Sequence, residues 1–267
     1  MPFARSNEGS AMTDDEQRPF VVPCRQLPLS APWRWLAAGW RDVRRAPGLT
    51  AVFGAVIVLV SAAVSALAWE LGRFALLALL LSGFVYVAPL IGVGLYSVSY
   101  GLIAGREPRL RDSFTVARRV MGQAGIFALM QLVIILIWSR AGMMLTAFVP
   151  VDPGDHRALV EYLAIGSLIG AAFAGFTFAV SVVSLPLIAQ RDVDMVTACV
   201  SSFNAVLRNK PVMLLWGAVI VALTVVGFAT VIGLGLIMPW LAYATYHAYL
   251  DTLDASDWPL QEVRPAD

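Results

Sequence analysis

Charge is scarce in this chain. Asp, Glu, Lys and Arg make up 14% of its 267 residues, where an ordinary soluble domain carries about a quarter. With 59% hydrophobic residues and a mean hydropathy of +0.74, a soluble globular fold is excluded. Histidine is scarcer still. His156 and His247 cannot build a haem and copper centre, which takes several imidazoles on facing helices, nor a His-rich metal site. The two cysteines, Cys24 and Cys199, both fall in segments assigned below to a reducing compartment, so no structural disulfide is expected. No long apolar run has a carboxylate near its centre, which removes the titrating group of a conventional proton-coupled mechanism. The phosphate-cradling GxxxxGK[ST] loop, the zinc-binding HExxH pair and the GxSxG nucleophile elbow are all missing. No catalytic residue, metal ligand or cofactor is therefore expected, and a net charge of +1 gives no reason to expect a nucleic-acid partner.

What is present is apolar length. Runs free of Asp, Glu, Lys and Arg cover residues 46–69, 74–105, 120–139, 162–190 and 211–250, together more than half of the chain. A helix needs roughly 20 residues to cross about 30 Å of hydrocarbon. The first four runs each hold one span, and the last holds two as a hairpin. With the N-terminus in the cytoplasm, the outside segments carry only Arg73, Arg140 and Arg157 of the 19 basic residues. That bias satisfies the positive-inside rule with both termini cytoplasmic. The first 30 residues place Asp14, Asp15 and Glu16 where a signal peptide would need an apolar core, so no cleavable signal is expected. Eighteen Arg against one Lys matches the composition of a GC-rich bacterium, and the expected location is a bacterial inner membrane.

The expected organisation is a disordered cytoplasmic leader over 1–30, a six-span membrane domain over 31–251 and an acidic cytoplasmic tail over 252–267. Ahead of the first span, Trp33, Leu36, Trp40 and Val43 recur at i, i+3, i+7 and i+10, while Arg34, Arg41 and Arg45 share another face. This predicts an amphipathic helix lying on the membrane, with Trp at headgroup depth and arginines on anionic lipid. An aromatic followed five residues later by Arg precedes spans 1, 3 and 5, as Trp40 and Arg45, Phe114 and Arg119, and Phe203 and Arg208. The last two extend to Ser113-Phe114 and Ser202-Phe203, and the spans that follow each unit hold Pro89, Pro186 and Pro239. The fold class predicted is an all-α polytopic six-helix bundle of three pseudo-repeats, each an interfacial helix plus two spans. Within it, Gly166, Gly170 and Ala174 predict a close helix approach, Gln131 an interhelical hydrogen bond, and Asp152 to Asp155 a turn.

The densest polar surface lies at the inner ends of spans 2 and 6. Tyr96 and Tyr100 follow Pro89 there, and Tyr243, Tyr246, His247 and Asp251 follow Pro239. Pro89 and Pro239 are each followed seven residues later by a tyrosine, Tyr96 and Tyr246. The matching spacing predicts that the two ends meet and form a ligand or interaction surface. Asp251, one turn beyond His247, is the expected partner that favours the imidazolium.

Three runs carry a resemblance. Trp35-Leu36-Ala37-Ala38-Gly39-Trp40-Arg41-Asp42, then Pro89-Leu90-Ile91-Gly92-Val93-Gly94-Leu95-Tyr96 with Gly105-Arg106-Glu107-Pro108, and the closing Pro239-Trp240-Leu241-Ala242-Tyr243-Ala244-Thr245-Tyr246-His247-Ala248-Tyr249-Leu250-Asp251 resemble the bacterial integral-membrane family catalogued as domain of unknown function 2189. The resemblance spans about Pro32 to Asp251. It implies six spans in the inner membrane, with no catalytic residues to carry over. Some members are labelled cytochrome c oxidase subunits, a label that the missing ligand histidines argue against as a catalytic one. The function expected is a non-catalytic accessory protein, a subunit of a membrane complex or a binder of lipid or an apolar ligand. The expected partners are membrane lipids, anionic headgroups above all. The alternative is a small transporter or channel built from the pseudo-repeats. It is disfavoured by how few polar residues, such as Ser61, Ser65, Thr224 and Thr230, lie in spans 1 and 5 and the outer half of span 6.

Overall fold

The structure, a computed structural model, describes residues 19–71, 90–148, 156–230 and 233–261. Residues 1–18, Arg73, Pro89 with its expected kink, and the turn expected over Asp152 to Asp155 lie outside the described residues. Among those described, every regular element is a helix, and two isolated β-bridges join Cys24 to Leu253 and Arg191 to Leu260. In chain order the helices are α1 Ala31–Arg45, α2 Pro47–Leu71, α3 Leu90–Ile103, α4 Leu110–Arg119, α5 Met121–Phe148, α6 His156–Ser181, α7 Ser184–Gln190, α8 Met195–Arg208, α9 Lys210–Thr230 and α10 Leu234–Thr252.

Among the described residues, four stretches are long and apolar enough to cross a membrane: Pro47–Leu67, Met121–Leu145, His156–Gln190 and Lys210–Thr230, with mean hydropathy of 2.0 to 2.5. Only 17% to 28% of each is buried inside the protein, so most of their apolar surface faces outward, as lipid-exposed helices require. The chain is thus an integral, multi-pass, all-helical membrane protein. Helix α10 differs. At 19 residues it is about 28 Å long, but Tyr243, Tyr246, His247, Tyr249 and Asp251 make its second half polar, and it is not among the four. Its residues are instead packed inside, Leu241, Tyr243, Ala244, Tyr246, Ala248 and Tyr249 all being buried.

The core lies at one end of the bundle, where the polar connections meet. Its largest fully buried side chains are Trp35, Trp216, Tyr243, Tyr246 and Tyr249, with Trp35 edge-on to Trp216 at 5.5 Å. Backbone there is held by side chains from distant segments. Gln123 Oε1 accepts from Met195 N at 3.0 Å, and Asn209 accepts from Leu27 N at 2.9 Å and donates to Arg25 O at 3.0 Å. Residues 21–30 therefore depart from the disordered leader expected from composition. Val22 is fully buried with its N–H on Ser201 Oγ, Arg25 N donates to Thr252 O, and Asp254 N donates to Pro23 O. The tail folds back too, as far as Gln261, whose N–H donates to Gln190 O. Polarity alone misassigned residues 21–30, because their backbone groups find partners that only the folded chain supplies.

Helix α6 stops where Pro186 removes the N–H that Val182 O would have bonded. A turn earlier Ser202 interrupts the ladder, its hydroxyl accepting from Val183 N at 3.3 Å and donating to Ala179 O at 2.8 Å, a side chain inserted between helical partners. Ser113 behaves alike in α4, donating to Gly94 O at 3.0 Å. Both serines are buried, while the neighbouring Phe114 and Phe203 are exposed. Gly166 and Gly170 face Leu145 and Trp138 of α5, as the small-residue spacing predicts. Gln131 does not bridge helices through its carbonyl oxygen, which is buried without a partner.

Candidate functional site

Helix α1 crosses α10 at Gly39, where a Cβ would stand 2.7 Å from Ala244 N, and only glycine permits that approach. Below the crossing, Gly54 of α2 meets Gly235 of α10 backbone to backbone. The buried stripe of α1 is Trp35, Leu36, Gly39, Asp42 and Val43, shifted from the Trp33, Leu36, Trp40, Val43 face read from spacing. The surface that α1 presents inward is covered by α10, so it is a protein seam and not a lipid-facing one. Trp33, at 57% exposure, and Trp40, at 36% and edge-on to Trp240 at 5.3 Å, flank that stripe. Arg41 and Arg45 remain exposed. Arg34 is not a free anchor, because its Nη2 lies 2.9 Å from Asp251 Oδ2.

At 100° per residue, Tyr243, His247 and Asp251 fall within about 80° of one another on α10, and that face meets α1 and α2. His247 Nε2 lies 2.8 Å from Asp42 Oδ2. A carboxylate only accepts, so Nε2 carries the hydrogen. The same oxygen accepts from Ser99 Oγ at 2.8 Å. Asp251 takes the Arg34 guanidinium and the Trp35 indole N–H at 3.0 Å, so the expected partner of His247 is replaced by Asp42 on another helix. Tyr243 is closed off as well. Thr50 Oγ1 donates to Ala46 O at 2.8 Å, which leaves it to accept from the Tyr243 hydroxyl at 3.2 Å.

Serine, aspartate and histidine meet here, but in an order that cannot perform acyl transfer. A nucleophilic serine must donate to the histidine, with the carboxylate behind the ring. Ser99 and His247 instead bond one oxygen of Asp42, and Ser99 is fully buried. The buried thiol of Cys199 is likewise unreactive: burial pushes it up to about 11, with Ser184 opposing and Asp194 reinforcing the shift. No three metal-ligating side chains converge among the described residues.

Tyr246, about 100° round the helix from His247, turns to a different side. Its ring stacks on Tyr96 at 6.2 Å between centroids, so α3 and the second half of α10 do meet as the proline-to-tyrosine spacing predicts. Beside them opens a cavity of about 260 Å³, whose wall includes Tyr96, Tyr100, Tyr246, Gln190 and three arginines, Arg106, Arg111 and Arg119. A glycine sets the rim. Gly105, at φ +68°, ends α3 in a turn with Arg106 N on Gly101 O and Gly105 N on Leu102 O, the left-handed cap that favours glycine. The turn brings the Arg106 guanidinium to 5.3 Å from the Tyr100 ring centre.

The structure thus divides the six candidate residues between a closed network (Tyr243, His247, Asp251) and an open cavity (Tyr96, Tyr100, Tyr246). Spacing arguments missed Asp42, Ser99 and Thr50 on the first side and Gln190 and the three arginines on the second. Asp42 had a signal, being the one acid in α1 and standing on its apolar stripe. No curated protein and no solved structure matches the chain. Residues 76–190, which hold Tyr96, Tyr100, Gln190 and the three cavity arginines, match the model of the family described as predicted integral membrane protein (DUF2189), the family that the motif runs resemble.

Proposed function

We propose that this chain is a non-catalytic, six-span protein of a bacterial inner membrane, with three pseudo-repeats and both termini in the cytoplasm, that binds lipid and serves as an accessory component there. The single observation that carries the lipid reading is the outer face of α1, where Trp33, Trp40, Arg41, Arg44 and Arg45 stay exposed while the opposite face is locked onto α10. A helix held rigidly by protein on one side, with Trp and Arg on the other, suits the level of anionic headgroups. The two buried serines that bond the helix before them support the repeat, and the missing serine-to-histidine bond supports a non-catalytic role. Each exposed arginine near an anionic surface adds about 1 kcal/mol. In nanodiscs of mixed zwitterionic and anionic lipid, native mass spectrometry should find retained lipid enriched in the anionic species. The triple substitution R41Q/R44Q/R45Q should remove most of that enrichment. Equal retention of both lipids by the unsubstituted protein overturns the reading.

A further inference from the structure

The cavity between the end of α3, α4, α7 and α10 has the features of a ligand site. Three guanidinium groups, Arg106, Arg111 and Arg119, stand around it, and among the described residues none of them has a carboxylate within 4 Å. Two acids, Glu107 and Asp112, share the wall, and Asp112 is occupied in accepting from Arg109 N at 3.1 Å. The wall is cationic by one charge. Arg119 reaches only the Gln261 carbonyl, at 3.5 Å.

The second observation lies deeper. Tyr246 is 1% exposed, yet among the described residues its hydroxyl has no hydrogen-bond partner, and neither has the buried Oε1 of Gln190, which lines the same cavity. A buried polar group left unpaired costs about 1–3 kcal/mol, and two beside one cavity call for a common partner. They also specify it. The phenol hydroxyl offers a donor, the amide oxygen needs one, and the guanidinium forks suit the several oxygens of a phosphate. A carboxylate would satisfy the arginines and the phenol but leave Gln190 unpaired. At about 260 Å³ the space is smaller than the ~300–1,000 Å³ of drug-sized pockets, so it suits a headgroup-sized ligand.

We infer that this cavity binds a polyol phosphate, with its phosphate among Arg106, Arg111 and Arg119 and the Tyr246 hydroxyl, and a hydroxyl donated to Gln190. Two sources share that chemistry: the glycerophosphate headgroup of an anionic lipid and free glycerol phosphate. The lipid source rests on the lipid-binding reading above; the site itself does not.

The test is calorimetric titration of the full chain in a non-ionic detergent. The probes are sn-glycerol 3-phosphate, and short-chain phosphatidylglycerol or phosphatidylcholine in mixed micelles. Saturable binding of the glycerol-bearing probe is expected, with phosphatidylcholine at least tenfold weaker. Tyr246→Phe should weaken it about tenfold, the value of one lost hydrogen bond, and R106Q/R119Q about a hundredfold. Melting temperature of Y246F in ligand-free protein should stay at or rise above the wild-type value, since the hydroxyl has no partner among the described residues. Phosphatidylglycerol binding alone supports the lipid source. Glycerol phosphate binding alone supports the site with a soluble ligand. R41Q/R44Q/R45Q should bind the probe as wild type does, which keeps failure of the α1 reading separate from failure here. No saturable binding, equal binding of phosphatidylcholine, or wild-type affinity in both Y246F and R106Q/R119Q overturns the proposal.

Discussion

Helix α10 shows two faces that treat their polar groups in opposite ways. On the side of α1, the hydroxyl of Tyr243, the Nε2 of His247 and both donors aimed at Asp251 all have partners within about 3 Å. On the side of α3, the hydroxyl of Tyr246 is equally buried and has none among the described residues. Both faces come from one stretch of tyrosines with similar local sequence. The difference lies in what stands opposite: Asp42 and Thr50 from helices packed tightly through Gly39 and Gly54 on one side, and a cavity edged by arginines on the other. A closed polar network spends its hydrogen bonds on holding helices together. An open one keeps them for something else.

The largest effect expected from this comparison is at Asp42, which is 3% exposed and joins Ser99 to His247. Asp42→Ala strands a buried hydroxyl and an imidazole at once and should cost about 2–4 kcal/mol, read as a loss of thermal stability in detergent. A change below about 0.5 kcal/mol would mean that the seam is held by packing alone.

A sharper contrast sets two tyrosines side by side. Tyr243→Phe removes a hydroxyl bonded to Thr50 and should cost about 1 kcal/mol, whereas Tyr246→Phe in ligand-free protein should cost nothing or stabilise. Equal losses in both would erase the distinction between the faces.

A further effect, the size of that at Tyr243, calibrates the comparison away from α10. Asp194 caps α8, accepting from Val196 N at 2.9 Å and Thr197 N at 3.0 Å. Burial acts to raise its pKa, but hydrogen bonds from the Thr197 side chain and from backbone N–H groups outweigh this and hold it below the usual carboxylate value. A depressed folded value means that its contribution is full above the unfolded value near 4 and lost as pH falls through the folded one. Asp194→Ala should cost about 1 kcal/mol at neutral pH. Asp194→Asn should retain the cap and weaken the acid dependence, measured by melting between pH 3 and 7.

Much of this was legible in the residues. The apolar runs located the four helices that qualify as spans among the described residues, and the pattern from Trp33 to Val43 marked an amphipathic helix ahead of the first. The proline-to-tyrosine spacing brought Tyr96 to Tyr246. The phase of α1 was read wrongly because Trp counts as apolar in any periodicity, yet Trp33 and Trp40 stay outside while Gly39 and Asp42 go in. Neither a glycine nor an aspartate scores as a buried position until its partner is known.

Membrane residence and helix length were determined by the sequence alone, because transfer of apolar side chains out of water depends on composition and run length and on little else. The pairing of His247 with Asp42 over Asp251, the ordering of residues 21–30 and the split of the tyrosine cluster were decided only by tertiary structure. A hydrogen bond depends on distances of a few tenths of an ångström, here between His247 and Asp42, 205 residues apart in the chain, and no local pattern encodes which of two carboxylates will stand within reach.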